Sequence, residues 1–209
     1  ELRQHRDVLN KFETSIDIIN KISTLFRQMQ SEQSLYHRDS LTEFICLDDV
    51  LSDRIECFKK KLTALLIPYA GEITYFHEKP PEIIGIRTSI SKGFDFLLLY
   101  SYQTLLYQGA KSLDIRLSFE QGHTCIDFIN DGSQALHQRM VEISPSTPFP
   151  FSGLHPKDKR HIAWLVFAMS FFADLSARLL VINESGKNVV SLKIPKDLSR
   201  APQLQDSYH

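Results

Sequence analysis

LDIRLSFEQGHTCIDFIN, residues 113 to 130, reads as two short strands, Leu113 to Phe119 and Thr124 to Asn130, joined through Glu120, Gln121, Gly122 and His123. That is a hairpin signature. Immediately upstream, Phe94 to Lys111 is strongly apolar and of helical length, and before it Gly71 to His77 alternates as a strand until Lys79, Pro80 and Pro81 break it. Further back, Asp48 and Asp49 open a helix that runs to about Leu66, with Val50, Leu51, Ile55, Phe58, Leu62 and Leu65 on one face and Pro68 as its stop. Downstream, residues 137 to 160 hold four of the nine prolines and read as a long loop. Ile162 to Leu175 is an apolar helix, and Arg178 to Asn183 with Asn188 to Ile194 make a second hairpin around Glu184, Ser185, Gly186 and Lys187. This order predicts an α+β fold, a two-layer sandwich of a mixed β-sheet with helices on one face.

The first 40 residues differ in kind. Val8, Phe12, Ser15, Ile19, Ile22, Phe26 and Met29 step by four and three, a heptad seam that Leu9, Ile16, Ile18 and Leu25 widen. So broad an apolar face needs a second helix, from the same chain or from another copy, and self-association is the expectation. The alternative is a core helix inside one monomer. Gln30 to Ser40 is polar and aperiodic, a connector. The expected division is therefore residues 1–40, helix and connector; 41–197, the α+β domain; and 198–209, a polar, flexible tail.

Composition narrows the function classes. A net charge of −1 supplies no field for nucleic acid, so none is expected as a partner. Cys46, Cys57 and Cys125 fit neither a disulfide framework nor a C-x-x-C motif, which suits a reducing cytoplasm. The longest apolar stretch, Ala163 to Ala173, falls far short of the roughly 20 residues a membrane helix needs, and Glu1 begins no signal peptide. No initiator Met opens the chain, so upstream sequence is expected. The eight histidines include no H-x-x-x-H pair, and neither zinc nor any other metal is expected. Eight glycines in 209 residues are about 4 %, against a usual share of about 7 %, awkward for any Gly-rich phosphate loop.

From Leu47 to Pro195 the element order resembles the ATP-binding domain of sensor histidine kinases, preceded by part of their dimerisation and phosphotransfer helices. The resemblance implies three nucleotide-binding boxes, and each is altered. Where the family's Asn box reads Asn-Leu-Leu-x-Asn-Ala-x-Lys, this chain has Thr104, Leu105, Leu106, Tyr107, Gln108, Gly109, Ala110 and Lys111. Gln108 stands in place of the Mg²⁺-holding Asn, and its extra methylene moves the carbonyl oxygen by about 1.5 Å, against an ion that demands near-ideal octahedral placement. The Asp-x-Gly-x-Gly box corresponds to Asn130, Asp131, Gly132, Ser133 and Gln134: Asn130 replaces the adenine-binding Asp, Gly132 survives, and Gln134 replaces the second Gly. An Asn can still accept through its carbonyl. The three glycines of the last box, whose backbone cradles phosphates, fall on Arg160, Ile162 and Trp164. The resemblance thus implies a vestigial pocket at Gln108, Asn130, Gly132, Arg160, Ile162 and Trp164, with no cofactor bound in the family's way. Phe149, Pro150 and Phe151 then read as a lid over that emptied pocket, and the basic run Lys157 to His161 as a solvated helix start.

Non-kinase histidine phosphotransferases of the same superfamily keep a degenerate ATP domain and a helix resembling Arg-His-Asp-x-x-Asn-Lys-Leu. Here His5, Arg6, Asp7, Val8, Leu9, Asn10, Lys11 and Phe12 match it except that Arg6 takes the histidine position and His5 precedes it by one residue, a turn of about 100° on a helix. His5 is the candidate phospho-acceptor. In a second register residues 1–32 are the later helix of the hairpin, and the acceptor lies upstream of Glu1. The expected function is a bacterial two-component signalling protein, homodimeric through its N-terminal helix, whose degenerate domain docks a receiver domain or a sensor kinase. Alternatives are a phosphotransferase passing phosphoryl groups from His5 to a receiver Asp, and a fragment of an active but atypical kinase.

Overall fold

The computed structural model describes residues 42–64, 72–78, 80–108, 112–131, 140–143, 156–184 and 186–196. The N-terminal heptad helix, the connector and the C-terminal tail lie outside the described residues. The elements run β1 (Glu43–Ile45), α1 (Leu47–Ala64), β2 (Glu72–His77), β3 (Ile83–Gly85), α2 (Arg87–Gln108), β4 (Ser112–Glu120), β5 (His123–Asn130), β6 (Met140–Ile143), α3 (Pro156–Ser170), a 3-10 turn (Ala173–Leu175), β7 (Arg178–Glu184) and β8 (Lys187–Pro195).

Contacts divide the chain into two compact units, Glu1–Ser40 with Ile55–Tyr69, and Leu41–Arg54 with Ala70–His209. The described part of the first is the later half of α1, where Ile55, Phe58 and Leu62 are buried and Lys59 pairs with Glu56 at 3.3 Å. The second contains a six-stranded sheet in the order β2-β4-β5-β8-β7-β6 and a separate β1-β3 pair. β2 runs parallel to β4 and every other neighbour is antiparallel, so the sheet is mixed.

Strand alternation builds the covered face. Leu113, Ile115 and Leu117 of β4 stand opposite Asn130, Phe128 and Ile126 of β5, and the rows continue through Val190 and Leu192 of β8 to Val181 and Leu179 of β7. All are buried. α2 lies against β4 and β5, α3 against β6 and β7, and the two helices touch, which gives the expected α+β sandwich with helices on one face. α2 is buried almost all round: Phe94, Phe96, Leu97, Leu98, Leu99, Tyr100 and Tyr102 are all in the core. Gly93 permits this packing, because a Cβ there would sit 2.3 Å from two ring carbons of the fully buried Phe172.

Several boundaries differ from expectation, each for a local reason. α2 starts at Arg87 rather than Phe94, since its first turns are polar apart from the buried Ile90. The stretch read as one long loop contains β6, which pairs Met140–Ile143 with β7, and the first turn of α3. Pro156 opens that helix, a position where its missing N–H costs nothing. β1 and β3 have three residues each, too few for any period. The first hairpin turns on Gln121 (φ 50°) and Gly122 (φ 78°) between the paired Glu120 and His123, the two-residue form that needs positive φ at both positions.

Candidate functional site

At one end of the sheet three asparagines lie in a single row across adjacent strands: Asn130 (β5), Asn188 (β8) and Asn183 (β7). Asn130 is 4 % and Asn188 2 % exposed. The Asn188 Nδ2 donates to Asn130 Oδ1 at 2.9 Å, so the carbonyl that could accept from an incoming group already takes a buried hydrogen bond. Next along the chain, Asp131 Oδ1 accepts from the Ser112 backbone N–H at 3.3 Å and staples the ends of β4 and β5 together. The Asn130 and Asn188 side chains share the face that carries Phe128 and Val190 one step further along their strands, where an amide without a partner would be costly.

Of the other residues of the expected pocket, Gln108 closes α2, while Arg160, Ile162 and Trp164 all lie inside α3, beyond its first turn. Ile162 is a core residue at 1 % exposure. The Trp164 ring packs at 6.1 Å from that of Phe96, which stacks on Phe171 at 5.4 Å and meets Phe167 edge-on at 4.9 Å. These contacts join α2 to α3 and its C-terminal end. Thr104, which stands where the Asn box begins, is buried, and its hydroxyl donates to the Tyr100 carbonyl at 2.8 Å, a bond back to its own helix. Gly132, Gln134, the segment Phe149 to Phe151 and His5 lie outside the described residues. Among the described residues no group of three or more His, Cys, Asp or Glu could hold a metal ion, and no helix is long and apolar enough to cross a membrane.

Sequence reasoning missed two clusters. One is the asparagine row itself: Asn130 was singled out, but Asn188 and Asn183 become its neighbours only through the β5-β8-β7 register. The other ties the start of α1 to the edge strand β2. Asp48 accepts from the Tyr75 hydroxyl at 2.7 Å through Oδ1 and meets His77 Nδ1 at 3.1 Å through Oδ2, with the two rings stacked 5.4 Å apart. Burial, and then the bond to Asp48, push the Tyr75 phenol well above its ordinary range. The i, i+2 spacing of Tyr75 and His77 on one strand face was the available signal; their approach to Asp48 was not readable from it.

No protein-family model and no curated protein matches the sequence. Solved structures do. The nucleotide-free catalytic domain of histidine kinase ThkA superposes with a TM-score of 0.55 at 12 % identity, covering 75 % of this chain and 97 % of that one. Histidine kinase ThkA in complex with the response regulator protein TrrA gives 0.50 at 16 % identity over 90 % of this chain and 52 % of the other. The histidine kinase AdeS of Acinetobacter baumannii gives 0.48 at 13 % identity, with 94 % and 86 % covered. At these identities the likeness to the two ThkA structures speaks for the fold, and the layered arrangement of strands and helices is that of a histidine kinase catalytic domain.

Proposed function

We propose that this chain is a two-component signalling protein whose histidine-kinase-like domain does not bind ATP in the family's manner and acts as a docking or regulatory module. The observation that carries the proposal is the buried bond from Asn188 to Asn130. The group standing at the adenine-reading position gives one of its carbonyl's two acceptor sites to its own sheet, so an incoming donor would have to reach the remaining lone pair of a side chain only 4 % exposed. Three further features point the same way. Gln108 replaces the metal-holding Asn, Thr104 is bonded to its own helix, and Ile162 and Trp164 are committed to packing at positions counted as phosphate-cradling glycines.

The fold supports a choice of partners. A histidine kinase of this architecture has been solved with its response regulator, and a receiver domain or a sensor kinase is the class of protein this domain would meet. Homodimerisation through the heptad face of residues 8–29 and a cytoplasmic site of action belong to the same proposal. The test has two arms. The full chain is incubated with labelled ATP and Mg²⁺, and separately with a phosphorylated receiver domain. The docking reading expects no label from ATP, with a receiver or kinase retained in a pull-down. Label taken from the receiver and lost in His5→Ala would replace it with a phosphotransferase. Label taken from ATP would refute it.

A further inference from the structure

The register of β5 on β8 sets Asn130 opposite Asn188 at one end of the sheet and His123 opposite Pro195 at the other. At that second end, away from the asparagine row, lies a cleft of about 300 Å³. Its lining includes Phe44, Ile83, Leu175 and Ile194, with Glu82 and Asp174 among its polar residues. The volume sits at the lower bound of ordinary ligand pockets, and Ile83 and Ile194 are core residues.

Three observations suggest what it accepts. First, Phe44 lines the cleft with 71 % of its surface in water, the kind of exposed large apolar group that marks an interaction site when it borders an apolar hollow. Second, the cleft is bordered by β3 along its whole length, and β3 with β1 forms a two-stranded sheet of three paired residues. Both strands are edges, so each carries backbone N–H and C=O groups with no strand beside them in that sheet, and two strands are the minimum a sheet can have. Third, the charges are uneven. The charged lining residues are Glu82, Asp174 and Lys196, two acids against one base; the Lys196 ammonium lies over the Phe119 ring at 5.8 Å, and the nearby Glu43 of β1 is taken by Arg87 at 3.0 Å. Glu82 and Asp174, both exposed, have no ion-pair partner among the described residues. The wall is fixed by Ser176, held at φ 50° as the cap of the 3-10 turn, a conformation a non-glycine residue keeps only where its surroundings enforce it.

We propose that this cleft docks an extended segment of a partner protein, with an apolar side chain in the hollow and a neighbouring Lys or Arg on Glu82 and Asp174. The segment's backbone adds to the β1-β3 pair, the strand-addition mode of peptide recognition. The proposal is independent of whether the asparagine end of the sheet binds nucleotide. The probe is an acetylated five-residue peptide alternating valine and arginine, with a valine–glutamate peptide as its control, titrated into the ¹⁵N-labelled full chain. The expected result is saturable shifts of the Ile84, Gly85 and Ser176 amides with the arginine peptide, none with the glutamate peptide, and at least tenfold weaker binding in the Glu82→Lys, Asp174→Lys double variant. Absence of saturable shifts, equal binding of the two peptides, or unchanged affinity after charge reversal would overturn it. Concentration-dependent shifts of the same amides without peptide would assign the cleft to a second copy and overturn the partner reading.

Discussion

Gly93→Ala is the substitution whose cost follows most directly from the structure. Glycine inside a helix normally costs about 1 kcal/mol relative to alanine, so on propensity alone the change should stabilise α2. The packing says otherwise. An added Cβ would lie 2.3 Å from Cε2 and Cζ of Phe172 and 3.1 Å from its Cδ2, so the ring must retreat by about 1 Å to reach ordinary contact. It has little room, being fully buried and packed against Phe94 at a ring separation of 5.5 Å. Overpacking of this kind costs up to about 3 kcal/mol; less the propensity gain, the expected net loss is about 2 kcal/mol. Urea unfolding followed by the single tryptophan is a direct assay, because Trp164 reports on the α2-α3 contact through Phe96. In a Phe172→Leu background the obstacle is gone, and Gly93→Ala should become neutral or stabilising by up to about 1 kcal/mol. A stabilising Gly93→Ala in the wild-type background, or an additive double-mutant cycle, would refute the close approach of α2 and Phe172.

Three other outcomes are expected. Asn188→Ala leaves the Asn130 carbonyl oxygen buried without its donor, a loss of about 1–3 kcal/mol measurable by denaturant titration. Tyr75→Phe removes the bond to Asp48 at a cost of about 1 kcal/mol near neutral pH. Because the folded-state phenol is raised, that contribution is fully present below the unfolded value of about 10, and wild-type stability should fall at higher pH, where only the unfolded phenol ionises. The stability gap between wild type and Tyr75→Phe should therefore be constant from neutral pH to about 9 and shrink above about 10, as read by denaturation at each pH. Gln121→Asn, at φ 50° beside Gly122, installs the pair this hairpin turn favours and should raise the melting temperature by a degree or two.

The legible parts of the fold were those with a repeating signal. Leu113 to Asn130 and Arg178 to Ile194 alternate, turn and alternate again, and the structure keeps both hairpins. α1 and the later two-thirds of α2 were equally plain, because their apolar residues repeat over many turns. What stayed hidden lacked a period. Glu43–Ile45 and Ile83–Gly85 are too short to alternate, and Met140–Ile143 sits among prolines that signal a loop. Gly93 carries no local signal of its role; its need is set by Phe172, nearly 80 positions away. At the asparagine end the sequence pointed to Asn130 from a resemblance, but the bond that engages it comes from a strand 58 residues later. The meeting of Tyr75 and His77 with Asp48 was hidden for the same reason: long-range register, not local pattern, brings them together.

The central claim, that this histidine-kinase-like domain has no working ATP site, is tested most directly by equilibrium unfolding of the full chain with and without 1 mM Mg-ATP. A ligand at about 100 times its dissociation constant stabilises the folded state by about 2.7 kcal/mol, so a site of about 10 μM affinity would be unmistakable. The account predicts superimposable unfolding curves. A stabilisation of that size, dependent on Mg²⁺, would contradict it.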